Sequence, residues 1–382
     1  MILRVALLLI ATAAGARAQD VRVVRADNPP VWGESPRLIE ELRIGSLDGD
    51  EAFLLERVAG MAITANGDLW ILDQQAARVR RYSPEGDHLG DVGRRGEGPG
   101  EFAMPLQVRR DPRDGTMLVW DPPNLRMHRF SDAGDFIGSV PLELAGHRVR
   151  LGLPVMQIDT AGFTYALDRE NSWTRRDPSG QVVEVLRPPP ARPVGIMNPV
   201  LTWSAPSPRG FLVWGRNDEY AIHLPAPDGA TLRIERRADR VPYVAEERAE
   251  LQRLEDHFAA RRDSDPSPIP ADKPVWARFR MDHDGRIWIA MYESATQRAE
   301  TAEERAERER FANPPRTWAQ DLTFDVITDE GRFLGTVRFP SRTNHRSFED
   351  IELLHSEGRR VWTLERGAFD EEYVVQYRIE SG

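Results

Sequence analysis

Two arginines with the spacing of a β-strand are the residues of this sequence best suited to bind a ligand. Arg278 and Arg280 stand two positions apart in the run WARFRM at 276–281, so an extended strand would point both guanidinium groups to one side. A guanidinium group keeps its charge at physiological pH and offers a planar fork that matches a carboxylate or a phosphate. Trp276 would supply an aromatic wall on the same side. We therefore expect an anion-binding site on this strand.

Common catalytic patterns do not occur in the sequence. No histidines stand at metal-ligand spacing, and no Gly-x-Ser-x-Gly motif marks a hydrolase nucleophile. The glycine-rich run RRGEGPGEF at 94–102 lacks the Lys-Ser or Lys-Thr pair and the helix of a phosphate-binding loop. We therefore predict no cofactor and no metal, and we favour binding over catalysis.

The N-terminus has the features of a secretory signal peptide. Arg4 precedes an apolar run at 5–14, and Ala16-Arg17-Ala18 supplies the small residues of a cleavage site. We expect cleavage after Ala18, a mature chain of residues 19–382 that forms a single domain, and a location in the periplasm or outside the cell. The apolar run is too short for a transmembrane helix, and no later segment approaches the ~20 apolar residues that such a helix needs.

Composition narrows the class of partner. The formal net charge is −10, and loss of Arg4 and Arg17 with the signal peptide makes it −12. This charge argues against nucleic acid and anionic membranes as partners. It leaves a small anionic ligand at a local basic site, or another exported or envelope protein. The sequence contains no cysteine, so packing must stabilise the fold without disulfides.

The elements that would position these side chains repeat along the chain. Residues 58–102 contain four short strands, with a turn at Asn66-Gly67 between β-branched and aromatic runs that is typical of a hairpin. The second strand of this unit occurs six times along the chain, and its last residues are Asp73, Asp121, Asp168, Gly215, Met291 and Glu365. Four-stranded units with a period of ~40 to 50 residues predict an all-β, six-bladed β-propeller.

The last unit provides only three strands before the chain ends. The segment RLIEELRIG at 37–45 precedes the first unit and has no unit of its own. We predict that it is the outer strand of the last blade and closes the ring, because an open ring would expose a strand edge and two blade faces.

Several segments resemble the NHL-like repeats of six-bladed β-propellers that bacteria secrete. They are GRRGEGPGEF, DGTMLVWD, RMHRFSDAG and DFIGSV, together with RIGSLDGDEAFLLERVAGMAIT before and within the first unit. The resemblance covers nearly all of the mature chain and implies the propeller fold. Its members include binding modules and a few enzymes, so it does not imply one function.

Two insertions lengthen the later units. One spans about 244–274, where Leu251, Leu254 and Phe258 predict an amphipathic helix, and the other spans about 294–318 and is rich in helix formers. The first connects two blades and the second connects the second and third strands of one blade. In an antiparallel blade both kinds of connection emerge on the same face, so we expect both insertions on one face. Long segments gathered on one face are typical of a binding surface. Alternatively, the helices only cover that end of the propeller.

The first strand of every unit would line the central channel. Counted back from the ends of the second strands, Arg110, Gln157 and Glu352 fall on the channel side with Arg278 and Arg280. Alternatively, Glu352, Asp350 and Gln157 already pair with these arginines inside the protein, because buried charges are usually paired. Both interpretations stay open at this point.

The function that these features favour is an exported, non-catalytic propeller. It would bind a ligand or a protein on its insertion-bearing face, with an anionic group at the channel mouth. The alternative is a propeller hydrolase or lyase, similar to a lactonase, with a metal ion at the channel mouth. A calcium site prefers several converging carboxylates, and here arginines outnumber them.

Overall fold

The computed structural model describes residues 20–141, 156–168, 171–190, 200–300, 302–339, 352–367 and 371–382, with the single residues 197 and 369. The predicted signal peptide and Asp350 lie outside these residues, and Glu352 is described by its backbone alone.

Six antiparallel sheets follow one another around a ring, one for each predicted repeat. Two strands precede them, β1 (Val21–Arg25) and β2 (Arg37–Ile44). Blade one contains β3 (Val58–Ile63), β4 (Leu69–Asp73), β5 (Arg78–Tyr82) and β6 (His88–Val92). Blade two contains β7 (Gln107–Arg110), β8 (Met117–Asp121), β9 (Arg126–Phe130) and β10 (Phe136–Pro141). Blade three contains β11 (Met156–Ile158), β12 (Thr164–Leu167), β13 (Trp173–Arg176) and β14 (Val182–Leu186).

The insertions lie in the second half of the ring. Blade four contains β15 (Thr202–Pro206), β16 (Leu212–Arg216), β17 (Ala221–Pro225) and β18 (Thr231–Glu235), and helix α1 (Ala245–Arg261) follows it. Blade five contains β19 (Trp276–Met281), β20 (Arg286–Met291), β23 (Thr323–Thr328) and β24 (Phe333–Arg338). Its insertion consists of the short strands β21 (Thr296–Gln297) and β22 (Trp318–Ala319) around helix α2 (Ala302–Phe311). Blade six contains β25 (Glu352–Glu357), β26 (Arg360–Arg366) and β27 (Glu372–Glu380).

Tight turns join the first and second strand of each blade. In blade one the Thr64 hydroxyl accepts the N–H of Asp68 at 2.9 Å, and in blade five an Asp282 carboxylate oxygen accepts the N–H of Arg286 at 2.8 Å. Gly67 and Gly285 in these turns have φ of 94° and 80°, where any other residue would be strained. The turns therefore hold the ends of the first strands in defined positions, because a side chain of the turn itself closes them.

The core lies between neighbouring blades. Trp70 of blade one contacts Phe130 of blade two, with 6.2 Å between ring centroids. The second-strand aromatic residues that the repeat pattern assigns to the core are all buried, namely Trp70, Tyr165, Trp288 and Trp362. Each blade therefore depends on its neighbours to cover its apolar face.

The N-terminal segment contacts three successive blades. β1 pairs in parallel with β18, the outer strand of blade four, which the sequence analysis does not predict. Trp32 is then buried in the core between blades five and six, where its ring centroid lies 6.3 Å from that of Trp288. β2 pairs antiparallel with β27 and forms the outer strand of blade six. An N-terminal strand and the last strand thus share the sheet of blade six.

Deletion of residues 20–45 should abolish cooperative unfolding. The deletion removes β2 and Trp32, so it exposes the edge of β27 and part of the core between blades five and six. Deletion of residues 20–25 is the matched control, because it removes β1 from a blade that keeps four strands. Thermal melts followed by circular dichroism should show a cooperative transition only for the shorter deletion. A cooperative melt of the longer deletion at the full-length temperature would contradict the role of the segment in closure.

Candidate functional site

A small cavity lies where the first strands of blades two to six converge. Its volume is ≈ 20 Å³, which is enough for a single small polar group, since one water needs about 10–15 Å³. The polar residues that line it are Arg109, Gln157, Arg280, Asp282, His283, His355 and Ser356. Most of these residues stand at the last positions of a first strand or in the turn that follows. We call this space the channel cavity.

Two guanidinium groups make the channel cavity electropositive. Arg109 comes from β7 and is only 7% exposed, and Arg280 comes from β19 and is half-buried. Arg109 also donates a hydrogen bond to the carbonyl of Val108 at 2.9 Å. Gln157 of β11 adds an amide group to the same lining. The cavity therefore presents charge, hydrogen-bond donors and an acceptor to whatever enters it.

Two histidines from neighbouring blades stack beside these arginines. The ring centroids of His283 and His355 are 4.0 Å apart, with 32° between the ring planes. Burial, followed by the charges of Arg109 and Arg280, lowers the pKa of His355 to about 3. Desolvation by the surrounding protein, followed by the nearby His355 ring, also lowers the pKa of His283, although part of this residue is exposed to solvent. Both rings are therefore neutral at neutral pH, and the charge of the cavity comes from the arginines.

The His355 ring is poorly satisfied by the protein. The residue is 6% exposed, and neither ring nitrogen has a hydrogen-bond partner among the described residues. The nearest carboxylate oxygen, from Glu357, lies 3.7 Å from Nε2, beyond hydrogen-bond distance. A neutral imidazole has one donor and one acceptor, and buried polar groups are usually bonded. His355 is thus able to bind a polar group in the cavity.

A network of hydrogen bonds fixes the turn that carries His283. A carboxylate oxygen of Asp282 accepts from Arg286 at 2.6 Å and from the indole N–H of Trp288 at 2.8 Å. Arg286 also donates to the Ser356 hydroxyl of blade six at 3.2 Å. Burial raises the pKa of Asp282, although Arg286 opposes this. The network joins blades five and six, so it sets the position of His283 relative to His355.

The structure brings some of the predicted site residues together and separates others. Arg280 and Gln157 line the channel cavity, whereas Arg278, two residues earlier, does not. Trp276 is fully buried in the core between blades four and five and donates its indole N–H to the carbonyl of Glu219 at 2.8 Å. A β-bulge separates Trp276 from Arg278, so their spacing of two does not place them on one side. The prediction of an aromatic wall at Trp276 is therefore wrong.

Turn length explains the position of Arg110. Six residues (111–116) separate the last paired residues of β7 and β8, whereas five (282–286) separate those of β19 and β20. One extra residue shifts the register, so Arg109 and not Arg110 corresponds to Arg280, and Arg110 lies outside the channel cavity. In blade six the register places His355 opposite Trp362, and the backbone of Glu352 pairs further along the strand, with Leu364.

Sequence reasoning missed Arg109, His283 and His355. A signal for the two histidines does exist, because each stands within three residues of the glycine of its turn, Gly285 or Gly358. Alignment on the turn glycines would have grouped them with the ends of the first strands. Alignment on the second strands did not, because the turns differ in length.

The insertions are held to the propeller by buried charges. The ammonium group of Lys273, the only lysine, lies 2.8 Å from a carboxylate oxygen of Glu247 on α1 and donates to the carbonyl of Glu293 at 2.9 Å. Glu250, also on α1, accepts hydrogen bonds from the N–H and hydroxyl of Thr317 in the second insertion, both at 2.7 Å. Both helices lie within the segments predicted for them. In addition to the expected Leu254, α1 buries the acidic residues Glu247, Glu250 and Glu255. These contacts favour a covering role for the helices.

The insertions and the channel cavity lie at opposite ends of the first strands. Lys273 stands just before β19, while Asp282 and His283 follow its last residue. In blade four likewise, Pro206 and Pro208 of the cavity lining stand at the end of β15. The cavity therefore lies towards the turns between first and second strands, and not beneath the insertions.

The described residues contain neither a metal-binding cluster nor a membrane-spanning helix. No group of three or more histidine, aspartate and glutamate side chains there is arranged to hold a metal ion. No helix in this part of the chain is long and apolar enough to cross a membrane.

Comparisons with known proteins identify the fold. No protein-family model matches the chain, and no curated protein matches its sequence. One similar solved structure is a protein of Bacteroides fragilis described as exported, with a TM-score of 0.52 and 9% identity over 94% of this chain and 99% of that one. Another is a DUF4221 protein of Bacteroides vulgatus, with a TM-score of 0.54 and 10% identity over 91% of this chain and 99% of that one.

These comparisons support the fold and no particular activity. Virginiamycin B lyase of Staphylococcus aureus is also similar, with a TM-score of 0.40 and 12% identity over 86% of this chain and 82% of that one, and supports no inference at that score. The chain is a six-bladed β-propeller, as the resemblance in its sequence implied, and a bacterial protein described as exported is among its structural neighbours.

Replacement of Lys273 by methionine should destabilise the protein by about 3–5 kcal/mol, because it leaves the Glu247 carboxylate buried without its partner. Urea unfolding measures this loss. The double variant Lys273→Met with Glu247→Gln should recover most of the stability, since no buried charge is then left alone. A single variant as stable as the wild type would show that the pair does not hold the insertions.

Stability should decrease between pH 7 and pH 5 through His355. Histidine in the unfolded chain has a pKa near ~6.5, whereas the fold lowers the pKa of His355 to about 3. The unfolded chain therefore binds the proton first as pH falls, so the contribution is complete above the unfolded pKa and decreases below it, by about 2 kcal/mol at pH 5. Urea unfolding of His355→Gln should lack this component, whereas His88→Gln on an outer strand should retain it.

Proposed function

We propose that this protein is an exported, non-catalytic propeller that binds a small anionic group in the channel cavity. The observation that carries the proposal is the joint lining of one cavity by Arg109, Arg280, Gln157 and the unsatisfied ring of His355. Guanidinium groups make short, charge-assisted hydrogen bonds to carboxylate and phosphate oxygens. A neutral imidazole and an amide can complete the ligand's hydrogen bonds. The periplasm or the medium is the proposed location.

The size of the channel cavity limits the bound group. A volume of ≈ 20 Å³ accepts one end of a ligand, such as a carboxylate, and leaves the remainder in the channel. The proposed binding face is that of the turns between first and second strands, which replaces the insertion-bearing face expected from the sequence. The ligand is a small anionic metabolite or an acidic group of another exported protein.

Binding is favoured over the hydrolase or lyase alternative by the same histidines. A general base is most effective when its pKa lies near the working pH. The pKa of His355 is lowered to about 3, so its ring is a weak base at neutral pH. A cation at this position would also face the charges of Arg109 and Arg280.

Replacement of Arg280 by glutamine should weaken anion binding by about 2–5 kcal/mol, because it removes one charge from the pair that meets the ligand. The measurement is a thermal-shift screen with formate, acetate, phosphate, sulfate and small di- and tricarboxylates, followed by calorimetry of each compound that raises the melting temperature. Arg278→Gln is the matched control, since Arg278 stands on the same strand and does not line the cavity.

Two results would contradict this proposal. The first is an equal loss of affinity in Arg280→Gln and Arg278→Gln. The second is a wild type that no anion stabilises together with a destabilised Arg280→Gln variant, which would show that Arg280 serves an internal ion pair, as the alternative from the sequence holds.

A further inference from the structure

A second and much larger cavity lies where the first and last blades meet. It encloses ≈ 840 Å³, and we call it the seam cleft. Its lining comes from the turns and strand ends of blades one and six, with Arg110 from blade two. The lining residues include Ile63, Leu69, Pro84, Arg110 and Trp362. None of them lines the channel cavity.

The volume of the seam cleft suits a small organic molecule. Ligand pockets typically enclose about 300–1,000 Å³ and combine an apolar lining with a few polar groups. Ile63, Leu69, Pro84 and the Trp362 ring supply apolar surface here. The cleft can therefore accept an apolar body that the channel cavity is too small to hold.

The charge of the lining favours an anion. Four arginines and two glutamates line the cleft. Glu41 lies 2.7 Å from Arg378 and 3.5 Å from Arg360, and Arg359 donates to the Ser381 hydroxyl at 2.7 Å. Arg110, in contrast, has no hydrogen bond or ion pair with any described residue, and its Nε is buried without a partner. Arg110 is therefore the guanidinium group best placed to meet a ligand's charge.

Trp362 adds a hydrogen-bond donor without an acceptor. The residue is 5% exposed, and its indole N–H has no partner among the described residues. The corresponding residues in two other blades are satisfied, since Trp288 donates to Asp282 and Tyr165 donates to Asp159, both at 2.8 Å. Blade six has Glu357 at the position of this aspartate, but its carboxylate accepts no hydrogen bond from Trp362.

Trp70 provides a comparison for Trp362, because it has a similar unsatisfied indole N–H but lies outside the cleft. Its indole N–H is also buried without a partner, because blade one has Thr64 in place of the aspartate. Trp70 does not line the seam cleft, however, whereas Trp362 does. The pair therefore separates an unsatisfied indole on a residue that lines the cleft from one on a residue that does not.

We propose that the seam cleft binds an organic anion with an apolar body. Its anionic group pairs with Arg110, an acceptor atom bonds the indole N–H of Trp362, and the body lies on Ile63, Leu69 and Pro84. This site goes beyond the anion site of the channel cavity and does not depend on it. A ligand there contacts both the first and the last blade, so its binding stabilises the closed ring.

The test uses 8-anilinonaphthalene-1-sulfonate, a fluorescent aromatic anion, and its uncharged analogue N-phenyl-1-naphthylamine. Fluorescence titration of the wild type should show saturable 1:1 binding of the sulfonate and weaker binding of the neutral analogue. Arg110→Gln should weaken sulfonate binding by about tenfold or more, equal to about 1.4 kcal/mol or more, and leave the affinity for the neutral analogue unchanged.

Matched variants keep the result interpretable. Trp362→Phe should weaken sulfonate binding several-fold, whereas Trp70→Phe, which also removes an unsatisfied indole N–H, should not. Arg280→Gln should bind the sulfonate as the wild type does, so failure of the channel proposal is distinguishable from failure of this one. Sulfonate binding that Arg110→Gln leaves unchanged, equal wild-type affinity for the two dyes, or no saturable binding would overturn the proposal.

Discussion

Pairing between the two ends of the chain is the constraint on which the rest of the structure depends. β2 and β27 lie at opposite ends of the sequence, yet seven residue pairs join them in one sheet. A blade that lacked this strand would leave an edge of unpaired backbone groups. It would also weaken the core between blades six and one, where Ile44 of β2 packs with Met61 and Trp362. Both cavities need blade six in place, because His355 lines one and Trp362 lines the other.

The turns between first and second strands fix the positions of the side chains at this end of the ring. Asp159 and Asp282 each accept backbone N–H groups of their own turn and a donor from the second-strand aromatic residue. Blade one has Thr64 and blade four has Ser207 at this position, and blade six has Glu357, which accepts no hydrogen bond from Trp362. In blades one and six, the indole N–H groups of Trp70 and Trp362 therefore have no hydrogen-bond partner among the described residues.

The fold was predictable from the sequence because its signals are local and repeated. Turn signals such as Asn66-Gly67 and the buried aromatic residues of the second strands recur from unit to unit. An error in one unit therefore does not change the predicted fold. The site depends instead on register, and one residue more in the turn at 111–116 exchanges Arg110 for Arg109. The sequence analysis did not predict β1 for another reason. Its residues VRVVR are mostly exposed, so no alternation of buried and exposed residues marks a strand, and the strand pairs in parallel with the distant β18.

The position of the insertions shows why segment length is a weak guide to a binding face. α1 directs Glu247, Glu250 and Glu255 inwards, and Lys273 and Thr317 bind the first two of these. Buried charge pairs of this kind hold a segment in place, because their separation would leave an ion without water or partner. A segment so held covers the propeller and has few polar groups left for a ligand. The short turns at the opposite end hold the groups of Arg280, His283 and His355 on rigid strand ends, and rigid elements position binding groups more accurately than long loops do.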